Sequence, residues 1–175
     1  MQYRRTKEKG GTYFFTVNLA DRKSSLLLDH IEDFRDVMKK VKQQHPFDID
    51  AMVVLPDHVH TMWTLPKGDA DYPKRWMLIK AGFSRRIPKG EYRRKSRINK
   101  GERGIWQRRY WEHLIRDERD YEQHVNYIYF NPVKHGYVQK AIEWKNSSIH
   151  RYIKEGIIAP NWRNAETSKG DNYGE

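Results

Sequence analysis

Two apolar runs separated by a Pro-Asp pair place the strongest constraint on how this chain can fold. Residues 47–55 are Phe-Asp-Ile-Asp-Ala-Met-Val-Val-Leu, and residues 58–65 are His-Val-His-Thr-Met-Trp-Thr-Leu. Runs of this kind, joined by so short a turn, predict an antiparallel hairpin. Because strand side chains alternate between faces, His58 and His60 share one face and Val59 lies on the other. Paired imidazoles can bind a divalent metal, although a His-x-His pair also occurs by chance.

The runs on either side of this hairpin predict an α+β domain. In chain order the predicted elements are a strand at 12–19, a helix capped by Asp29, the two hairpin strands, a helix opened by Pro73, a strand at 105–116, and a helix capped by Asp117 that runs from Tyr121 to about Asn131. The β-α-β-β-α-β order is typical of the ferredoxin-like, RRM-like split βαβ fold. We therefore expect an antiparallel central sheet with helices packed on one face, plus the third helix. In that topology the strand with His58 and His60 lies at the centre of the sheet.

The charge balance points to a polyanionic partner. The chain has 175 residues, which suits one domain, and a formal net charge of +11. Nucleic acid is the first candidate, and a merely soluble basic protein is the alternative. The absence of cysteine excludes disulfides and thiolate metal sites. No apolar window approaches the length of a membrane span, so we expect a soluble cytoplasmic protein with no membrane partner.

Two basic segments are candidates for binding a phosphate backbone. Residues 1–11 form a basic arm, and residues 84–104 form a basic loop with nine Lys or Arg but only two Glu between Arg85 and Arg103. We expect this loop to be mobile, because it has little apolar content to fold on. The nucleic-acid-binding candidates are Arg4, Arg5, Lys7, Arg85, Arg86, Arg93, Arg94, Lys95, Arg108 and Arg109. A solvated surface is the alternative for both segments.

The aromatic residues and the end of the chain carry two further expectations. Exposed rings can stack on unpaired bases, and the candidates are Trp63, Trp106, Tyr110 and Trp111, with core packing as the better interpretation for at least two of them. We place a single domain at 1–164. Residues 165–175 form a polar tail that we expect to be disordered.

The third predicted helix places a polar face opposite its apolar one. Positions three and four apart share a helix face, so His124, Tyr127 and Asn131 line one side. Val125, Ile128 and Tyr129 are the candidates for its core side. Taken alone, a Tyr and an Asn one turn apart are more simply interpreted as polar surface residues.

Three blocks of sequence suggest a family. The first is Gly-Gly-Thr-Tyr-Phe-Phe-Thr-Val-Asn-Leu at 10–19, and the second is 53–60, which ends in the His-Val-His triplet. The third begins at 105–116 and continues with Tyr-Ile-Tyr-Phe-Asn-Pro-Val-Lys-His-Gly at 127–136. Together, in this order, the blocks span most of residues 3–138. They resemble the single-tyrosine HUH transposases, whose signature is His-hydrophobic-His, and specifically the REP-associated tyrosine transposases.

The resemblance implies a site, residue by residue. His58 and His60 match the two signature histidines that bind a divalent metal, Mg²⁺ or Mn²⁺. Asn131 matches the third ligand, where related insertion-sequence transposases tend to have Gln, and Tyr127 matches the nucleophile. The implied reaction is cleavage of single-stranded, hairpin-bearing DNA of the REP type through a 5′-phosphotyrosine, with strand transfer as its reversal. His124, one turn before Tyr127, is a candidate for accepting the phenol proton; packing or DNA contact is its alternative.

Some consequences of the resemblance stay open. It implies a bacterial, nucleoid-associated protein, but either a monomer or a homodimer. Two other classes fit the composition: a non-catalytic single-stranded DNA- or RNA-binding module of RRM-like fold, and a phosphodiesterase that uses water. The transposase interpretation makes one geometric demand. The helix face with Tyr127 and Asn131 must meet the sheet face with His58 and His60.

Overall fold

A four-stranded antiparallel sheet forms the centre of the computed structural model, which describes residues 7–163 and 173–175. Its strands are β1 (Thr12–Asn18), β2 (Asp48–Val54), β3 (His58–Thr64) and β4 (Trp111–Leu114). They lie in the order β2-β3-β1-β4, and every neighbouring pair is antiparallel. The predicted α+β fold is confirmed, with the first and third strands side by side at the centre.

Helices cover both faces of this sheet. Within the described residues they are α1 (Leu26–Asp29), α2 (Ile31–Gln44), α3 (Tyr72–Arg86), α4 (Lys95–Ile98), α5 (Glu118–Lys134) and α6 (Ile149–Lys154), with a 3₁₀ turn at Ala141–Glu143. The helices α2 and α3 pack together on one face, and α5 packs on the other.

The face under α2 and α3 holds the larger apolar core. The indole of Trp76 on α3 stacks on that of Trp63 on β3, with ring centroids 4.4 Å apart. Phe34 of α2 meets Phe83 of α3 edge to face at 5.8 Å, an arrangement that aromatic rings favour. All four rings are fully buried. Ile79 lies on the same side of α3 as these rings and is also fully buried.

The opposite face holds a second apolar cluster beneath α5. Phe14 and Met62 project from β1 and β3, and they meet Ile128 and Tyr129 from α5. The chain after α5 closes this cluster through Ile149 of α6, which is fully buried. The predicted core side of α5 is correct for Ile128 and Tyr129. This cluster fixes α5 against the strands that carry the two histidines.

Three element boundaries differ from those predicted. The fourth strand is only Trp111–Leu114, because the chain before it pairs with β1 through a single bridge between Leu19 and Trp106. The third helix runs on through Pro132 to Lys134; a proline this near the C-terminus removes one hydrogen bond without stopping the helix. Asp29 ends α1 and accepts a hydrogen bond from Ser25, so it does not cap α2.

The partly buried side chain of Arg103 organises the basic segment 84–104. Arg103 donates to the main-chain carbonyls of Ser84, Ile87 and Pro88 and forms an ion pair with Glu91. The segment also contains the short helix α4. Polar contacts to main-chain carbonyls, rather than an apolar core, give this stretch its conformation.

The two ends of the chain are only partly described. Arg4 and Arg5 of the predicted arm lie outside the described residues, and so do residues 165–172 of the predicted tail. Residues 173–175 are described, and they pack against the α5 face of the sheet. No helix among the described residues is long and apolar enough to cross a bilayer.

Candidate active site

The two signature histidines lie at the centre of the sheet and face α5. In the pairing of β1 with β3, Thr16 is opposite His60 and Asn18 is opposite His58. Both imidazoles are buried, and their ring centroids are 4.8 Å apart. The alternation of β3 thus puts both rings on one face, as predicted, and directs Val59 into the other core.

Each histidine has a partner that orients its ring. The Nδ1 atom of His58 lies 2.7 Å from the Asp57 carboxylate, and Nδ1 of His60 lies 2.8 Å from Oγ1 of Thr16. Donation from Nδ1 of His58 to Asp57 leaves the Nε2 lone pair of His58 for a metal, whereas Nε2 of His60 faces Glu175. Burial raises the pKa of Asp57, but hydrogen bonds from His58 and Arg22 outweigh it and lower the pKa to about 2.

Helix α5 brings Tyr127 and Asn131 to the same place. The Tyr127 ring lies 5.2 Å from the His60 ring, in an edge-on contact. Asn131, one turn later, is fully buried. The helix face with Tyr127 and Asn131 therefore meets the sheet face with His58 and His60, which is the geometric demand made by the sequence.

The Glu175 carboxylate sits among these four groups. It accepts a short hydrogen bond from the Tyr127 hydroxyl, one of 2.7 Å from Asn131 Nδ2 and one of 2.7 Å from Lys134 Nζ. Its Oε1 atom is also 3.0 Å from His60 Nε2 and 3.5 Å from His135 Nε2. Burial raises the pKa of Glu175, but hydrogen bonds from His60 and Lys134 outweigh it and hold the pKa below its usual range. The site thus binds an anionic oxygen.

The donor atoms of the predicted ligands fit a divalent cation. Among the described residues, Nε2 of His58 and Oδ1 of Asn131 are buried without a hydrogen-bond partner. Burying a polar atom without a hydrogen-bond partner costs folding free energy, and a bound cation would remove this cost for both atoms. His58, His135 and Glu175 also bring ligand atoms within 4.8 Å of one another. Imidazole nitrogens are common ligands of divalent metals, and an amide oxygen suits Mg²⁺ or Mn²⁺.

The surroundings of His60 and Tyr127 favour the neutral forms of both side chains. Desolvation lowers the pKa of His60 to about 4, which preserves a neutral ring with a lone pair. Burial raises the pKa of Tyr127 well above its ordinary value, and the hydrogen bond and charge of Glu175 raise it further. With Glu175 in place the phenol is therefore a poor nucleophile at neutral pH.

Two cationic or titratable residues of this site were missed by sequence reasoning. Lys134 Nζ lies 3.3 Å from the Tyr127 oxygen and 5.0 Å from the centroid of its ring. The His135 ring lies 5.4 Å from the His58 ring. The spacing Tyr127, Asn131, Lys134 follows one helix face and is the signal that would have found Lys134. The helix predicted from the sequence ends at about Asn131, before it reaches Lys134.

His124 is held by neighbours on its own side of the site. Its Nδ1 atom lies 2.7 Å from the main-chain carbonyl of Asp120, and its ring stacks on that of His113 at 4.6 Å. The same ring borders Phe14 at 4.8 Å. His113, Asp120 and His124 bring polar atoms within 4.8 Å of one another. The role of His124 as a proton acceptor stays a prediction.

The predicted nucleic-acid contacts are mostly surface cations. Lys7, Arg85, Arg86, Arg94, Lys95, Arg108 and Arg109 are exposed, and Arg93 is half-buried. Arg94, Arg108 and Arg109 line one cavity next to Leu19, beyond the end of β1. Arg86 forms ion pairs with Asp33 and Asp36 of α2, which compete with a phosphate. Of the stacking candidates, Trp63 and Trp106 are buried in the core, Tyr110 is half-buried and Trp111 is exposed.

Comparison with known proteins gives the family of this fold and site. The family model described as "Transposase IS200 like" matches residues 10–131. A REP-associated tyrosine transposase of Escherichia coli K12 is 45% identical over 161 residues, which cover 92% of this chain and 90% of the relative. A Haemophilus influenzae protein with the same family description is 48% identical over 162 residues, 91% of this chain and 92% of the relative.

A solved structure agrees with these sequence relatives. It is of a REP-associated tyrosine transposase bound to a REP hairpin, and it is 43% identical to this chain. The TM-score is 0.85, with 100% of this chain and 97% of the other covered. The chain belongs to the IS200-like transposases, and within them to the REP-associated tyrosine transposases. It is therefore a DNA transposase enzyme, and the alternative of a non-catalytic RRM-like module is not favoured.

Proposed function

We propose that this enzyme cleaves single-stranded, hairpin-bearing DNA of the REP type and rejoins it through a phosphotyrosine. One observation carries the proposal. The Tyr127 side chain lies against the sheet face that presents His58 and His60, and its hydroxyl donates to an anionic oxygen bound there. The substrate class is supported by the solved relative, which is bound to a REP hairpin. With such a substrate the enzyme would act at the bacterial nucleoid. Residues 1–164 would form its single catalytic domain.

In this proposal Tyr127 supplies the nucleophile. Its hydroxyl oxygen attacks the phosphorus as the bond to the 3′ oxygen breaks, and the phenol proton leaves as the 3′-OH forms. The DNA on the 5′ side is released with a free 3′-OH, and the other part stays on the enzyme as a 5′-phosphotyrosine. The 5′-phosphotyrosine is itself a phosphodiester, so the energy of the broken DNA bond is conserved. Attack by a 3′-OH on this ester therefore reverses the step.

His58, His60 and Asn131 would hold a divalent metal, Mg²⁺ or Mn²⁺. When bound, the metal would neutralise charge on the phosphate and template its orientation. Asp57 and Thr16 orient the two imidazoles. Lys134 lies beside the phenol oxygen and stabilises negative charge there as the proton leaves. His124 is proposed as the proton acceptor, with Asp120 holding its ring.

The basic surface would hold the rest of the strand. Arg94, Arg108 and Arg109 line one cavity next to Leu19, just beyond the end of β1. The last residue of β1, Asn18, lies opposite His58 in the sheet. Phosphates bound there would continue the path of DNA away from the site, so affinity should fall steeply as salt rises. Arg4, Arg5, Lys7, Arg85, Arg86, Arg93 and Lys95 are proposed as further phosphate contacts.

One assay tests the proposal. A REP-type hairpin labelled at its 3′ end is incubated with Mn²⁺ or Mg²⁺ and separated on a denaturing gel. We expect a labelled protein–DNA adduct with the native enzyme and none with Tyr127→Phe. Tyr129→Phe is the matched control, because Tyr129 lies two residues away and bonds to Ser148 outside the site. It should still form the adduct.

Each alternative has its own outcome in this assay. Cleavage without adduct that survives in Tyr127→Phe would indicate a phosphodiesterase that uses water. Tight binding without cleavage, unaffected by EDTA, would indicate a binding module. His58→Ala and His60→Ala should abolish cleavage but keep much of the DNA affinity. Full activity of either variant across metal concentrations would contradict the proposed ligands.

A further inference from the structure

Residues 173–175 occupy the site in a way that resembles one nucleotide unit, with a flat ring linked to an anion. The Glu175 carboxylate takes hydrogen bonds from Tyr127, Asn131 and Lys134, which are donors suited to a phosphate oxygen. Two residues earlier, the Tyr173 ring lies almost fully buried against the sheet. The ring and the anion therefore fill two adjoining subsites.

The ring subsite is a slot with one flat wall and two edges. The Tyr173 ring stacks on the Tyr127 ring, with centroids 3.7 Å apart and planes inclined by 15°. The rings of Phe14 and His124 border it edge-on, at 5.8 Å and 5.2 Å. One parallel wall and two perpendicular edges make a geometry that selects a flat aromatic group over an aliphatic one.

Polar groups line the passage between the two subsites. The Thr16 hydroxyl donates to the Tyr173 carbonyl, and Asn18 Nδ2 lies 3.4 Å from the Gly174 carbonyl. Gly174 has a φ of +79°, and a Cβ there would collide with the Trp111 side chain. The backbone thus crosses a narrow gap between Trp111 and two hydrogen-bond donors, which suits a chain with acceptor oxygens.

We propose that this slot is a nucleobase subsite for the DNA strand, filled by a base next to the cleaved phosphodiester. The base stacks on Tyr127 between Phe14 and His124, while Thr16 and Asn18 donate to acceptors of the base or sugar. The inference rests on the proposed function, because it takes the Glu175 carboxylate to mark the position of the phosphate. It assigns to Trp111, at the edge of the slot, a contact with the strand.

The test separates base stacking from cleavage. The bond that the native enzyme cleaves is mapped first, and 2-aminopurine then replaces in turn each of two nucleotides on either side of it. Binding is followed by fluorescence with Tyr127→Phe, which keeps the stacking ring but lacks the nucleophile. Tyr127→Leu is the matched variant without a ring. We expect quenching at one position with Tyr127→Phe and none with Tyr127→Leu.

Affinity gives a second readout of the same subsite. An abasic nucleotide at the quenched position should weaken binding to Tyr127→Phe roughly tenfold, the worth of one base–aromatic stack. Adding Tyr173→Ala to Tyr127→Phe should tighten binding, because the competing ring is removed. Equal affinity in either comparison, or quenching at no position, would overturn the subsite while leaving adduct formation intact. If the native enzyme forms no adduct, the proposed function fails instead, and the subsite with it.

Discussion

At the scale of single residues, Asp57 links the turn before β3 to the proposed metal ligands. One of its oxygens contacts His58 and the other accepts from Arg22 at 2.6 Å. A carboxylate on the far nitrogen of a ligating histidine fixes the tautomer and raises the basicity of the ring. Sequence reasoning treated Asp57 as a turn residue only, because nothing in the local pattern predicts where a turn carboxylate points.

Replacing Asp57 should therefore weaken metal binding. We expect Asp57→Ala to raise the Mn²⁺ concentration for half-maximal cleavage about 10- to 100-fold, the range for such outer partners. Arg22→Gln, which removes the other partner of the carboxylate but leaves the contact with His58, should shift it much less. The measurement is a Mn²⁺ titration of the cleavage rate. An unchanged midpoint in Asp57→Ala would contradict this role.

At the scale of elements, helix α5 positions most of the side chains that face the two histidines. Its polar face presents Tyr127, Asn131 and Lys134 at successive turns, and its apolar face packs on the sheet. The first two could be predicted from sequence, because a four-residue spacing is local information. Lys134 lies beyond the predicted end of the helix at about Asn131, so its place on this face was not predicted. The partners across strands, such as Thr16 with His60, depend on register, which the sequence does not contain locally.

Removing the charge of Lys134 should slow cleavage. A cation beside the phenol oxygen stabilises the developing phenolate, and a charge-assisted hydrogen bond of this kind is worth about 1.5–3 kcal/mol. We expect Lys134→Met to lower the single-turnover cleavage rate roughly 10- to 100-fold, with DNA affinity changed much less. Lys134→Arg should retain most of the rate. Equal rates for Lys134→Met and the native enzyme would contradict the assignment.

The ion pair between Arg103 and Glu91 contributes to the conformation of the segment 84–104. The hydrogen bond from Arg103 lowers the pKa of Glu91 to about 2, below its ordinary value of about 4.3. Because the folded-state pKa is depressed, the stabilisation is fully present above about pH 4.3 and is lost as the pH falls toward 2.

Glu91→Gln should therefore lower the free energy of unfolding by about 1–2 kcal/mol at neutral pH, a value discounted for solvent screening. The difference from the native protein should vanish near pH 2. Urea denaturation across this range measures it. Glu102→Gln, which removes a more exposed pair with Arg108, should have a smaller effect. A difference that does not depend on pH would refute the contribution of the pair.

At the scale of the whole molecule, the end of the described chain returns to the centre of the sheet. Glu175 is separated from Tyr127 by 48 residues, and the residues around it have no helical or strand periodicity. Contacts of that separation depend on the complete fold, so the sequence predicted only a polar tail. The sheet order and the faces of its strands were predictable, because alternation and element order are local patterns.

In the proposed reaction, Glu175 and a scissile phosphate would compete for the same hydrogen-bond donors. We expect Glu175→Ala to raise the initial cleavage rate about tenfold at subsaturating DNA, because the carboxylate no longer occupies Tyr127, Asn131 and Lys134. The matched control is Glu155→Ala, which removes an exposed carboxylate at the end of α6. It should leave the rate unchanged. A slower or equal rate in Glu175→Ala would show that the carboxylate does not compete.

Mass spectrometry of the protein–DNA adduct tests the central claim most directly. The adduct formed with a REP-type hairpin and Mn²⁺ is digested with nuclease and protease, and the modified peptide is sequenced. The account predicts a nucleotide remnant on the phenol oxygen of Tyr127, and no remnant when the reaction contains EDTA. A remnant on Tyr129 or any other residue, or cleavage that leaves no modified peptide, would contradict it.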